Sequence, residues 1–239
     1  MAARSVRHRK FIRKYRNKYM KAVIFDMDGV LINTEPLHYE CWRDVLREEG
    51  IEMDFDTYKP CIGSTREYLL ELIWDNYGKV GEAQDLMDRM KRKKREILNR
   101  DGFPLLPGVP EAIRKFRDAG YLLAVASSSP VDAIEEVLDV LGIHECFTSI
   151  TSGNQVEHPK PAPDTFLCAM KKLGFSPEDC LVVEDSTNGG KAAKAAGMKC
   201  VWYHNPDSGD QSIPHAELEI SEWNPENTDR ILNLLKKYK

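Results

Sequence analysis

Four short apolar runs, each ending in polar residues, restrict this chain to a narrow set of folds. The first spans residues 21–26, Lys-Ala-Val-Ile-Phe-Asp, is rich in β-branched residues and closes in an acidic turn. It reads as a buried strand. The pattern recurs at 121–126 (YLLAVA), 180–183 (CLVV) and 199–203 (KCVWY). Helical patterns occupy 109–119, 130–141, 164–173 and 187–196, and Gly120, Gly142, Gly174 and Gly197 follow them as C-caps. Strands alternating with helices over short connections predict an α/β chain with a doubly wound parallel sheet. Ligands of such sheets bind outside the carboxyl ends of the strands, so the polar residues there are the candidates for chemistry.

Residues 34–104 break the alternation, with helical patterns at 36–49, 54–58, 64–77 and 82–99 and no convincing strand. The expected organisation is a Rossmann-like core formed by 20–33 and 105–239, with 34–104 inserted as a small α-helical cap. Residues 1–19 carry eight basic side chains and no acidic one, and are expected to form a flexible leader. Without those eight, 26 Lys and Arg face 38 Asp and Glu, so the body has a formal charge of −12. That balance argues against nucleic-acid binding by the main body. No stretch approaches the ~20 apolar residues of a membrane span. Six cysteines with no C-x-x-C pair and no clustering with histidines argue against zinc and fit reduced thiols. A soluble, cytoplasmic monomer acting on a small metabolite is the expectation.

Asp26 and Asp28 stand two residues apart where the first strand ends, ahead of Gly29. One carboxylate can attack a phosphoryl group while the other, protonated, serves the leaving oxygen and then takes a proton from water. The pair alone is a weak signal, since turns are rich in Asp for local reasons. Ser127, Ser128 and Ser129 close the second run and could meet a phosphate, although serines also cap helices. Lys160 lies in His-Pro-Lys-Pro-Ala-Pro-Asp (158–164), where flanking prolines suit a fixed cation. Glu184 and Asp185 end the third run and offer hard oxygen ligands for Mg²⁺. Four weak signals, each at a strand's carboxyl end, are specific together.

These residues resemble the haloacid dehalogenase superfamily, and within it the β-phosphoglucomutase-like sugar-phosphate phosphatases. The resemblance spans about 20–220. It implies Asp26 as nucleophile, Asp28 as acid/base, Ser127 and Lys160 as phosphate contacts, and Mg²⁺ held by Asp26, the Asp28 carbonyl and Asp185, with Glu184 in or beside that set. Thr34 and His38 follow the nucleophile loop at the offsets seen in β-phosphoglucomutases, and the resemblance implies substrate contacts from His38, the cap loop Gly63 to Arg66, and Lys93. The expected activity is Mg²⁺-dependent hydrolysis of a small phosphate ester, such as a phosphosugar, through an aspartyl-phosphate. The alternatives are a β-phosphoglucomutase-type mutase and, from another class, a phosphoacceptor signalling module. The helical insertion and Asp28 count against the signalling module.

Overall fold

The computed structural model describes residues 21–62 and 66–238, without the side chains of 66 and 67. The expected leader and Gly63 therefore lie outside the described residues. Six parallel strands run in the order β3-β2-β1-β4-β5-β6. They are β1 (Ala22–Phe25), β2 (Leu122–Ser127), β3 (Phe147–Ser152), β4 (Cys180–Glu184), β5 (Lys199–Tyr203) and β6 (Leu218–Ile220). The four apolar runs form the inner strands β2, β1, β4 and β5, buried on both faces as parallel strands require. The sequence reading did not find β3 or β6. Both are edge strands: β3 is polar at four of its six residues, FTSITS, and β6 has three residues.

Side chains of β1, β2 and β4 alternate between two apolar layers, as the period of two dictates. Val23, Phe25, Leu123, Val125, Leu181 and Val183 pack on α5 (Val109–Asp118), α6 (Val131–Val140) and α9 (Pro225–Lys237). Ala22, Ile24, Ala124, Ala126, Cys180 and Val182 pack on α7 (Asp164–Leu173) and α8 (Thr187–Ala195). Large residues such as Phe25, Phe116 and Phe166 are fully buried, each contributing about 1.5–3 kcal/mol of burial free energy. The second layer is richer in alanine, so α7 and α8 approach the sheet closely. Helix α9 also went unread, although its Ile231 and Leu235 complete the first layer.

Between β1 and α5 the described residues form four α-helices: α1 (Glu35–Glu48), α2 (Phe55–Tyr58), α3 (Arg66–Tyr77) and α4 (Ala83–Asp101). They enclose an apolar core of their own, with Trp42, Leu46, Ile73 and Leu86 at its centre. Helix α2 begins at Asp54, whose carboxylate accepts the Thr57 N–H at 2.7 Å. The two connections to the sheet run side by side, with Asn33 N–H donating to the Pro104 carbonyl at 2.9 Å and Ile32 bridging Leu105. All six cysteines are free, five of them buried. No helix among the described residues is long and apolar enough to cross a membrane.

Candidate active site

Strand β1 is flanked by β2 on one side and β4 on the other, and the chain departs in both directions from it. The crevice at such a switch point lies at the carboxyl end, where Asp26 follows β1. Asp26, Glu184 and Asp185 are buried there, with ligand-capable oxygens all within 4.8 Å of one another. Lys160 is 2% exposed. Its Nζ lies 2.9 Å from Asp26 Oδ1 and 2.9 Å from Glu184 Oε1, above the Phe166 ring at 4.7 Å. The Glu184 contact is a hydrogen bond, whereas Asp26 Oδ1 is met off the hydrogen-bond direction and has no hydrogen-bond partner.

Helix α8 holds Glu184 from below. Its N-cap Ser186 donates to Glu184 Oε2 from the main chain at 2.6 Å and from the hydroxyl at 3.0 Å. A β-carbon at Gly189 would stand 1.6 Å from the Glu184 carboxylate, so only glycine permits this approach. Asp185 accepts the Ser208 hydroxyl at 2.5 Å through Oδ2, and Trp202 Nε1 donates to its carbonyl at 3.2 Å.

Asp28 faces the other way. Its Oδ2 accepts Ser129 Oγ at 2.8 Å and Ser127 Oγ at 3.3 Å, and its Oδ1 accepts Thr34 Oγ1 at 2.5 Å. Ser127 is fully buried and also accepts the Ser129 N–H at 3.0 Å, while Ser128 and Ser129 line the open cavity. The unread strand β3 matters here, because Ser152 Oγ donates to the Ser129 carbonyl at 2.7 Å and fixes the serine turn.

Electrostatics separate the two aspartates. Burial pushes the Asp26 carboxyl well above its ordinary range, with Lys160 opposing and Glu184 adding to the rise. Asp185 is also raised, by burial and then by its carboxylate neighbours. Burial acts on Asp28 too, but the charges of His38 and Lys94 and the hydrogen bonds from Thr34 and Ser129 outweigh it and hold its carboxyl low. Three buried carboxylates thus share one buried ammonium. An all-oxygen donor set with surplus negative charge suits a hard divalent cation such as Mg²⁺.

Gly29 connects these halves. At φ +78° it adopts the left-handed conformation, and a β-carbon there would lie 2.0 Å from Asp185 Oδ2. Gly29→Ala is expected to cost about 1–3 kcal/mol in backbone strain and to displace Asp185. Tm should fall by several degrees; an unchanged Tm would contradict this packing.

The cavity between cap and core has a volume of about 650 Å³. His38 and Lys94 meet on its wall, Lys94 Nζ lying 2.9 Å from His38 Nε2. The sequence reading assigned the cap lysine to Lys93. That side chain instead pairs with Glu96 at 3.8 Å, because each helical residue turns about 100° and carries Lys94 to the cavity face. Gly63 and the Arg66 side chain lie outside the described residues. Arg95 of α4 makes a two-pronged ion pair with Glu136 of α6, at 2.5 and 2.9 Å, and ties cap to core beside the cavity. Sequence reasoning also missed Glu35, Tyr58, Asn205 and Ser208. The last two follow β5, a strand end whose polar residues carried a signal that went unused; Asn205 Nδ2 donates to the Gly29 carbonyl at 3.0 Å.

Residues 23–203 match the family of haloacid dehalogenase-like hydrolases. A phosphatase of phosphorylated carbohydrates from Thermotoga maritima is 33% identical over 222 residues, covering 91% of this chain and 99% of the relative. Hexitol phosphatase B of Escherichia coli K12 is 31% identical over 203 residues, covering 84% and 91%. The crystal structure of β-phosphoglucomutase from Clostridium difficile superposes with a TM-score of 0.78 at 25% identity, covering 91% of this chain and 98% of that one. Matched in sequence over most of its length and in the architecture of sheet and inserted helices, the chain belongs to the haloacid dehalogenase-like hydrolase family.

Proposed function

We propose that the protein hydrolyses a small phosphate monoester, a phosphosugar, through an aspartyl-phosphate on Asp26. The observation that carries this reading is the separation of roles around one cavity. Asp26 lies against Lys160 and two further carboxylates, and Asp28 lies among hydroxyls with its carboxyl held low. Mg²⁺ would be held by Asp26, Asp185 and the Asp28 carbonyl, and would supply charge neutralisation for Asp26 and the phosphate together. Glu184 has both oxygens engaged by Lys160 and Ser186, so its main part is to orient the lysine.

Asp26 attacks phosphorus in line, and Lys160 offsets charge gathering on the phosphoryl oxygens. The serine turn receives the phosphate at the N-terminal end of α6. An arriving phosphate dianion competes for Ser129 and offsets His38 and Lys94, so Asp28 loses the groups that keep it ionised and takes up the proton it then gives to the leaving oxygen. As a base it next removes a proton from the water that cleaves the acyl phosphate. The cap excludes bulk water during the first step.

The second reading is a phosphosugar mutase, favoured by the His38 and Lys94 contact on the cavity wall and by likeness to a β-phosphoglucomutase. Release of inorganic phosphate from β-glucose 1-phosphate primed with glucose 1,6-bisphosphate supports hydrolysis, and accumulation of glucose 6-phosphate supports the mutase. Metal removal tests the chemistry common to both. Exhaustive chelation should stop turnover, and Mg²⁺ should restore it better than Ca²⁺, because the smaller ion enforces tight octahedral coordination. Full activity after chelation would overturn the proposed role of Asp26 and Asp185.

A further inference from the structure

We propose that Glu35 and Tyr58 act as a hydroxyl-reading pair that selects a neutral, polyhydroxylated leaving group; this rests on the phosphosugar reading and specifies which end of the substrate the cap recognises. Glu35 opens α1 and is 5% exposed, and Tyr58 ends α2 and is 4% exposed. Both line the cavity, whose cap wall also presents the apolar side chains of Trp42, Leu69, Met90 and Leu98 and the polar ones of His38 and Lys94. The Tyr58 hydroxyl lies 3.4 Å from Glu35 Oε2. Good O–H···O bonds span about 2.5–3.0 Å, so this contact is slack and both groups retain capacity for a third oxygen.

An acidic residue in the first turn stabilises a helix, but it does so as well from the surface. Burial of a carboxyl is costly and asks for another reason. Among the described residues no cation forms an ion pair with Glu35. Burial, with the nearby charge of Asp28 adding, pushes its carboxyl up to about 8. Near neutral pH it therefore keeps its proton and can both donate and accept, as a hydroxyl partner must. Asp28 serves the ester oxygen, and the cap wall meets the carbon chain beyond it. There Trp42 and Leu98 can cover C–H faces while Glu35 and Tyr58 take hydroxyls. Such a site rejects a chain without hydroxyls, because its own polar groups would then be left unpaired.

The test compares kcat/KM for glucitol 6-phosphate and p-nitrophenyl phosphate in wild type, Tyr58→Phe, Glu35→Leu and Glu35→Gln. The ratio of the two constants should fall about ten-fold in Tyr58→Phe and Glu35→Leu, the equivalent of one hydrogen bond. The loss should sit mainly in KM for the polyol ester. Glu35→Gln, whose amide also donates and accepts, should recover most of the ratio. An unchanged ratio, or equal losses on both esters, overturns the pair's role. A wild-type enzyme that cleaves the aryl ester and no polyhydroxylated one overturns the phosphosugar reading and this inference with it. If Glu35→Leu does not fold, Tyr58→Phe decides alone, since it removes a single oxygen.

Discussion

Asp26→Asn abolishes phosphate release and covalent phosphorylation, with an expected loss on the order of 10⁴–10⁶-fold, as when other covalent nucleophiles are removed. An amide neither attacks phosphorus usefully nor holds a hard cation well. The same change should not unfold the protein. In the metal-free state Asp26 is one of three crowded carboxylates, and burial together with the charge of Glu184 disfavours its anion against the pull of Lys160. Neutralising it removes repulsion and leaves Lys160 paired with Glu184 at 2.9 Å. Tm of the metal-free variant should therefore equal or exceed that of the metal-free wild type, the trade expected where a site is built for activity at the cost of stability. Activity within a few-fold of wild type would sink the mechanism. A lost Tm transition would show Asp26 to be structural first.

Much of this site was legible because all its key residues but Lys160 stand at or just past the end of an apolar strand. Asp26, Ser127 and Glu184 are the residues at which a run of β-branched and small apolar side chains meets the crevice, and strand alternation alone brings them together. What could not be read depends on packing across long separations. The edge strand β3, FTSITS, has only two apolar residues and is less buried than the inner strands, so its run looks like loop; yet Ser152 within it fixes the serine turn. Ser208 reaches Asp185 across 23 residues, and only the closed fold shows which loop residue does so. Lys93 and Lys94 differ by a single step of helix rotation, which charge patterning cannot resolve. Glu35 reads as a first-turn helix residue until burial and Tyr58 give it a different setting.

Lys160→Met should produce the largest loss of stability among site variants, because it leaves Asp26 and Glu184 facing each other without their shared cation. Lys160 lies within 2.9 Å of both carboxylates and is 2% exposed, so water cannot replace it without opening the packing around Phe166. Removing one partner from a buried ion pair costs about 3–5 kcal/mol, which for a chain of this size is a fall in Tm of roughly 10 °C. Protonation of one carboxyl limits the loss at low pH, so the gap from wild type should narrow as pH falls. Added Mg²⁺ offers the same carboxylates a substitute charge. It should raise Tm more in Lys160→Met than in wild type, a readout that does not depend on turnover. Lys160→Arg should recover little, since the planar guanidinium needs room that the buried pocket beside Phe166 does not provide. A Lys160→Met protein that melts with wild type at neutral pH without metal would show that neither carboxylate is ionised there. Lys160 would then be filling space rather than balancing charge.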